Sequence, residues 1–262
     1  MVRQKLDKET RKALLNARKL IEEVAKADGN EAETRRRVER IFESLMGYDT
    51  LKHVSREHAI HGVGDTEHCD FAIQLDDRES SVPIILVELK RVNVDLVPKH
   101  LKQVTSYSIN VGCEWALLTN GKEWKLYHIL FGQPPQTKLI DSWNLMNDDL
   151  VTLAEKFDLI SYRNIKKGGL ARIWEKSNVL TAQNILKTIL SEESIRLIRR
   201  NLRKTTEVSV SPEDIVGAIR HMLNEAAIIE MGKTKISLPE KKQRKRTTIS
   251  KSSKVKEKRH GH

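Results

Sequence analysis

The 262-residue sequence contains only two cysteines, Cys69 and Cys113, and they have no paired spacing. No disulfide framework follows from them, and a reducing, cytoplasmic setting is expected. Aromatic residues are 5% of the chain, which argues against a surface built mainly from base-stacking platforms. No stretch approaches roughly 18 consecutive apolar residues, so neither a transmembrane helix nor a membrane partner is expected. The opening MVRQKLDKETRK is charged with no apolar segment behind it, which argues against a secretory signal. What is present in ordinary amount is apolar residue, 39% of the chain, enough for a real core. The length suits one medium domain with extras, or two small domains.

The net charge of +11 is unevenly placed. Residues 241–262 hold ten Lys/Arg against Glu257 alone, which is +9 and leaves +2 for the rest. Residues 239–262 are therefore expected to form a disordered basic tail, too polar to bury anything. Lys241, Lys242, Arg244, Lys245 and Arg246 are candidates for sequence-independent phosphate contacts, which act by counterion release and weaken steeply with salt.

Hydrophobic periodicity predicts an amphipathic N-terminal helix within residues 1–28, with Leu14, Leu15, Ala17, Leu20, Ile21, Val24 and Ala25 on one side. Asn30 and Glu33 predict a capping box opening a second helix, and Gly47 a stop. Residues 52–130 then read as three strands (HVSREHAIHGV, 70–75 and 83–90), a helix over 95–109 entered through Pro98, and two strands (114–119 and 123–130) around Asn120-Gly121. The expected core, 29–132, is thus α/β, a mixed sheet flanked by helices. Residues 133–238 read as a helical extension, with helices over 147–157, 178–203 and 211–227.

The hairpin at 70–90 carries the chemistry. Its turn centres near Glu79, so facing residues have numbers summing to about 158, and Asp70 faces Glu88 with Cβ atoms about 5 Å apart. Lys90, two residues on, shares that face. Two carboxylates so placed repel by roughly 3 kcal/mol at an effective dielectric near 20. The preceding run IILV buries the pair further. A divalent cation, Mg²⁺ or Mn²⁺, removes the repulsion, held by Asp70, Glu88 and the main-chain carbonyl of Leu89. Water bound to such an ion becomes a nucleophile, and Lys90 is placed to orient it or to stabilise charge on a scissile phosphate. A simple surface ion pair is the alternative. Two further features favour the site. Glu31 points within about 40° of Val38, Phe42 and Leu45, on the core-facing stripe of its helix. Gln103 and Tyr107 share a face of the helix after Lys90, with Lys99 and Lys102 nearby for phosphates.

Taken together, NEAETRRRVERIFESLMGYD, CDFAIQ, IILVELKR, QVTSY and ALLTNGKEWKLY resemble the N-terminal nuclease domain of type I restriction enzyme R subunits, and more broadly the PD-(D/E)xK nucleases. The resemblance covers about residues 28–130. It implies a restriction-endonuclease-like fold, with Asp70, Glu88 and Lys90 as the catalytic set, Glu31 as the acid of the first core helix, and Gln103 and Tyr107 as the Gln-x-x-x-Tyr element. Thr119-Asn120-Gly121 then marks the strand end beside the site. The chain departs from the pattern at Cys69, where a proline is often found. It is also too short for the ATP-driven motor of R subunits, so a stand-alone nuclease is expected, with ATP-dependent translocation not carried over. DNA and other protein subunits are the implied partners; the oligomeric state, a homodimer included, stays open.

Other signals carry less. Gly232-Lys233-Thr234 has Ala227 where a phosphate-binding loop needs glycine. His58, His61, His68 and Cys69 match no standard zinc spacing. Trp115, Trp124, Tyr127 and Trp143 are expected in the core or on the sheet. The sequence therefore predicts an Mg²⁺-dependent endodeoxyribonuclease. A DNA-binding or assembly module on the same fold, without cleavage of its own, is the alternative.

Overall fold

A computed structural model describes residues 6–61, 66–75, 82–233 and 236. The tail at 239–262, with its five candidate phosphate contacts, and the turn around Glu79 lie outside the described residues. The chain divides into two compact units, with the division between Val179 and Leu180.

In the first unit, α1 (Lys8–Lys26) and α2 (Glu31–Ser44) come first, then α3 (Thr50–His53), β1 (Val54–His61), β2 (Thr66–Ile73) and β3 (Ile85–Leu89). Then follow α4 (Pro98–Val111), β4 (Trp115–Thr119), β5 (Glu123–Leu130), β6 (Gln136–Asn144), α5 (Leu150–Leu159), α6 (Tyr162–Lys166) and α7 (Gly169–Val179). Local chemistry sets the helix starts. The Asp7 side chain accepts the Thr10 N–H at 2.8 Å. Asn30 and Glu33 close the expected capping box, at 2.9 and 3.0 Å.

The strands form one six-stranded sheet in chain order. Neighbours are antiparallel except β3 and β4, which run parallel and are joined by α4. A parallel pair needs such a crossover. Every residue of β3 is buried, as expected of a strand covered on both faces. Phe71, Val87 and Leu117 stand side by side across three strands and join the main core with Leu14 and Ile21 of α1, Phe42 of α2, and Phe157 of α5. Ala72, Leu86 and Ala116, one step along each strand, meet Val104 and Tyr107 of α4 on the other face. Trp115, Trp124 and Trp143 are core residues, as expected, and Tyr127 packs against the α4-side cluster.

The structure corrects the sequence reading in four places, one being the helix expected over 211–227, which ends at Met222 before another begins at Glu225. Residues 136–144 form a sixth strand beyond the expected core boundary at 132, where mostly helix was expected. Trp143 fixes it there, lying opposite Trp124 in the ladder with the indole planes 7° apart. The N-terminal helix is part of the core, since Leu14, Ala17, Ile21 and Val24 are buried in it. The expected single helix over 178–203 is two helices, because Ser191 caps a new start by accepting the Ser194 N–H.

The second unit holds α8 (Ala182–Ile189), α9 (Glu192–Thr206), α10 (Pro212–Met222) and α11 (Glu225–Lys233) around Leu186, Leu190, Ile195, Ile215, Ile219 and Met231. Ser211 and Asp214 cap α10 reciprocally, with Pro212 in the first turn. No helix among the described residues is long and apolar enough to cross a membrane.

Candidate active site

The β2–β3 ladder pairs Phe71 with Val87, Ala72 with Leu86 and Ile73 with Ile85. This register puts Asp70 and Glu88 at the next position, where regular pairing ends. There the Asp70 side chain substitutes for the ladder, its Oδ2 accepting the Leu89 N–H at 2.8 Å. Both acids are buried, Asp70 7% and Glu88 2% exposed. Lys90 closes the set, its Nζ donating to Glu88 Oε1 at 2.5 Å.

The segment after β3 is tied down on both sides. The Lys90 N–H continues the parallel pairing by donating to the Thr119 carbonyl at 2.9 Å. Asn120 Nδ2 donates to the Val94 carbonyl at 2.9 Å, so the Thr119-Asn120-Gly121 turn holds the chain beside the site. Gly121 is required here, with φ at +85° and a Cβ at that position falling 2.8 Å from Ile21 Cδ1. On the other side, Arg91 Nε donates to the Gly29 carbonyl at 3.1 Å, and the Val92 N–H to Thr34 Oγ1 at 3.2 Å. These bonds press the start of α2 against the end of β3.

That contact brings in Glu31 and a residue the sequence reading missed. Arg35, one turn beyond Glu31, donates to Asp70 Oδ1 from Nε at 3.0 Å and from Nη2 at 2.5 Å. Its Nη1 donates to Glu57 Oε1 at 2.9 Å. Glu57 has a left-handed backbone, φ +45°, and falls between the paired positions Arg56–Phe71 and His58–Cys69, opposite Asp70. The partly buried Glu31 acts electrostatically on Arg35, Glu88 and Lys90.

Burial pushes the Glu88 carboxyl from 4.5 up to about 7; the Lys90 hydrogen bond and charge oppose this, while Asp70 and Glu31 add to it. Glu88 Oε2 is buried with no hydrogen-bond partner among the described residues. Burial lowers the Lys90 ammonium, but its bond to Glu88 and the charges of Glu88, Glu31 and Asp70 outweigh that, and its pKa rises. His100, on the first turns of α4, is lowered by burial and by Lys90 and Lys99.

A stability prediction follows from Glu88. Unfolded, its carboxyl titrates near 4.5; folded, it keeps its proton up to about 7. Folding then takes up a proton between those values, so stability falls as pH rises through that window, by about 3 kcal/mol for a group this buried. Urea unfolding without divalent ions is expected to show this loss between about pH 4.5 and 7, and Glu88→Gln to remove most of it. An unchanged pH dependence in Glu88→Gln would place the loss elsewhere.

The remaining predicted residues stand nearby on α4. Tyr107 is buried against Cys69, Ala72 and Leu86, neighbours of the acids, and its hydroxyl receives a hydrogen bond from Gln103 Nε2 at 2.7 Å. Gln103, Lys99 and Lys102 are exposed. What the structure records for Leu89 is its N–H on Asp70, whereas the sequence argument concerned its carbonyl. Among the described residues no group of three or more His, Cys, Asp or Glu is arranged to hold a metal ion.

No curated protein and no solved structure was found to match the chain. A family model does match: residues 30–141 fit the one described as the type I restriction enzyme R protein N terminus. The match begins at the α2 cap, spans Glu31, Arg35, Asp70, Glu88, Lys90 and the α4 residues, and ends within β6. Over residues 30–141 the chain is therefore similar to the N termini of type I restriction enzyme R proteins.

Proposed function

We propose that the first unit is a divalent-metal-dependent endodeoxyribonuclease of the PD-(D/E)xK kind, hydrolysing DNA phosphodiester bonds at Asp70, Glu88 and Lys90. The observation that carries this reading is Glu88 Oε2, a buried carboxyl oxygen without a hydrogen-bond partner among the described residues, beside the buried Asp70. A buried polar atom left unpaired costs about 1–3 kcal/mol and calls for an explanation. Charge points the same way. With Glu88 deprotonated, the four carboxyl groups of Glu31, Glu57, Asp70 and Glu88 face the two cations Arg35 and Lys90, a formal excess of two negative charges that one Mg²⁺ or Mn²⁺ balances.

Asp70 and Glu88 would hold the ion, with the Leu89 carbonyl as a third oxygen and Glu31 as a further acid close by. Mg²⁺ suits so small a protein set because it keeps several of its waters. When bound, the cation supplies Lewis-acid activation of water and neutralisation of phosphate charge. The protein's own groups do the rest. Lys90 stays protonated, because its pKa is raised, so it donates hydrogen bonds to developing charge and does not accept a proton. Arg35 is released from Asp70 toward Glu57 or a phosphate oxygen. Gln103, Tyr107, Lys99 and Lys102 offer α4 as the neighbouring DNA support.

The alternative, a DNA-binding or assembly module without cleavage of its own, has one observation in its favour: Arg35 and Lys90 already neutralise Asp70 and Glu88. Calorimetry with Mn²⁺ and a supercoiled-plasmid nicking assay separate the two readings. Binding with nicking supports the nuclease; DNA binding with neither metal uptake nor nicking supports the module.

A further inference from the structure

Among its described residues the second unit carries most of its cations on one helix. Its described residues 180–233 have eight Lys/Arg and seven Asp/Glu, nearly neutral in sum. Five of the eight, Arg196, Arg199, Arg200, Arg203 and Lys204, fall within nine residues of α9 that contain no acid. At about 100° per residue they occupy an arc of roughly 140°. Ile195 and Ile198, on the other side, pack into the core of the unit. Arg196 pairs with Glu192. Arg199, Arg200, Arg203 and Lys204 are exposed, and among the described residues none is ion-paired. Lys and Arg in a last helical turn are worth about 0.3–1 kcal/mol against the helix dipole, which accounts for Arg203 and Lys204 but not for the mid-helix arginines.

We infer that this face of α9 is a second DNA-binding surface, gripping the phosphate backbone of duplex DNA independently of sequence and apart from the acidic site. The stripe is about 12 Å long, over which one strand of B-DNA presents about three to four phosphates. Four of the five cations are arginine, whose fork matches phosphate oxygens in pairs. A membrane surface is a poorer fit, because a helix lying in a bilayer interface needs a broad free apolar face, whereas Ile195 and Ile198 of α9 pack into the unit and, of its apolar residues, only Leu197 and Leu202 are exposed. The choice of DNA over another polyanion rests on the nuclease reading of residues 30–141.

The test uses the full chain with Lys241, Lys242, Arg244, Lys245 and Arg246 replaced by glutamine, so that the tail does not mask α9. Fluorescence anisotropy on an arbitrary 30-base-pair duplex, in EDTA, compares this background with the same chain carrying Arg199→Ala, Arg200→Ala and Arg203→Ala. The expected result is at least about a tenfold loss of affinity at 100 mM salt, and a fall of about three in the slope of log K against log salt. Circular dichroism and Mn²⁺ affinity should stay unchanged, which shows that the loss is local to α9. Equal affinity and slope in the two proteins would overturn the inference. So would tighter binding of the background chain to anionic vesicles than to the duplex. Failure of the nuclease reading looks different: the plasmid is not nicked, yet duplex binding still depends on the three arginines.

Discussion

Asp70→Asn is expected to reduce Mg²⁺-dependent plasmid nicking by about 10³-fold or more, and to remove Mn²⁺ binding, with the fold intact. Asparagine has the shape of aspartate and keeps an oxygen for the Leu89 N–H, so the end of the hairpin is preserved. What it loses is the charge. The excess of two negative charges falls to one, and one of the two buried carboxylates able to hold the ion is gone. Arg35 stays in place through Glu57. Lys90→Met is the informative companion: it should lower turnover while Mn²⁺ still binds, because Lys90 is assigned to charge stabilisation rather than to the metal. Nicking by Asp70→Asn at the wild-type rate would move the chemistry away from this hairpin.

Arg35→Met is expected to destabilise the protein by about 3 kcal/mol while strengthening Mn²⁺ binding. Removing one partner of a buried ion pair leaves the other uncompensated, typically at about 3–5 kcal/mol. The lower end applies because the Arg35 side chain is 24% exposed and water screens part of the attraction. The opposite signs are the diagnostic feature. Arg35 and a cation compete for Asp70, so losing the arginine costs the metal-free protein stability and relieves the ion of a competitor. Saturating Mn²⁺ should then restore more stability to Arg35→Met than it adds to wild type. The double variant Arg35→Met, Asp70→Asn should recover most of the loss in urea unfolding. A single variant that loses less than about 1 kcal/mol would show the pair to be a surface contact in energetic terms.

Much of this site was legible because its signals are local or follow from simple counting. The hairpin register came from the position of its turn, and the observed pairs Phe71–Val87 and Ile73–Ile85 keep that sum. The Asn30–Glu33 box rests on a spacing of three residues, and it is present. Arg35 was not legible, because Arg35-Arg36-Arg37 is a run of three identical side chains. Only the packing of α2 on the end of β3 selects one of them. Its partner Asp70 lies 35 residues away. Strand β6 was missed for a related reason. It is the last strand of the sheet, and in QTKLIDSWN only Trp143 is fully buried, so no alternation of apolar and polar residues marks it. Ser191-Glu192-Glu193 did carry a helix start, a cap followed by two acids, but it was hidden inside a longer apolar periodicity.

Arg18 of α1 sets a lower bound on how much chain must exist before this core can close. Arg18 Nε donates to the Leu145 carbonyl at 2.7 Å, and its Nη2 reaches the carbonyl of Asp148. Leu14, Ala17, Ile21 and Val24 of the same helix lie in the cluster that Phe157 of α5 completes. During synthesis the first helix therefore waits for its partners until α5 has left the ribosome, well after Asp70, Glu88 and Lys90 have emerged. A fragment cut to the family match at 30–141 would lack both ends of this clasp. It would leave Phe42 and Trp124 facing water, with every residue named in the site present and the floor beneath them missing.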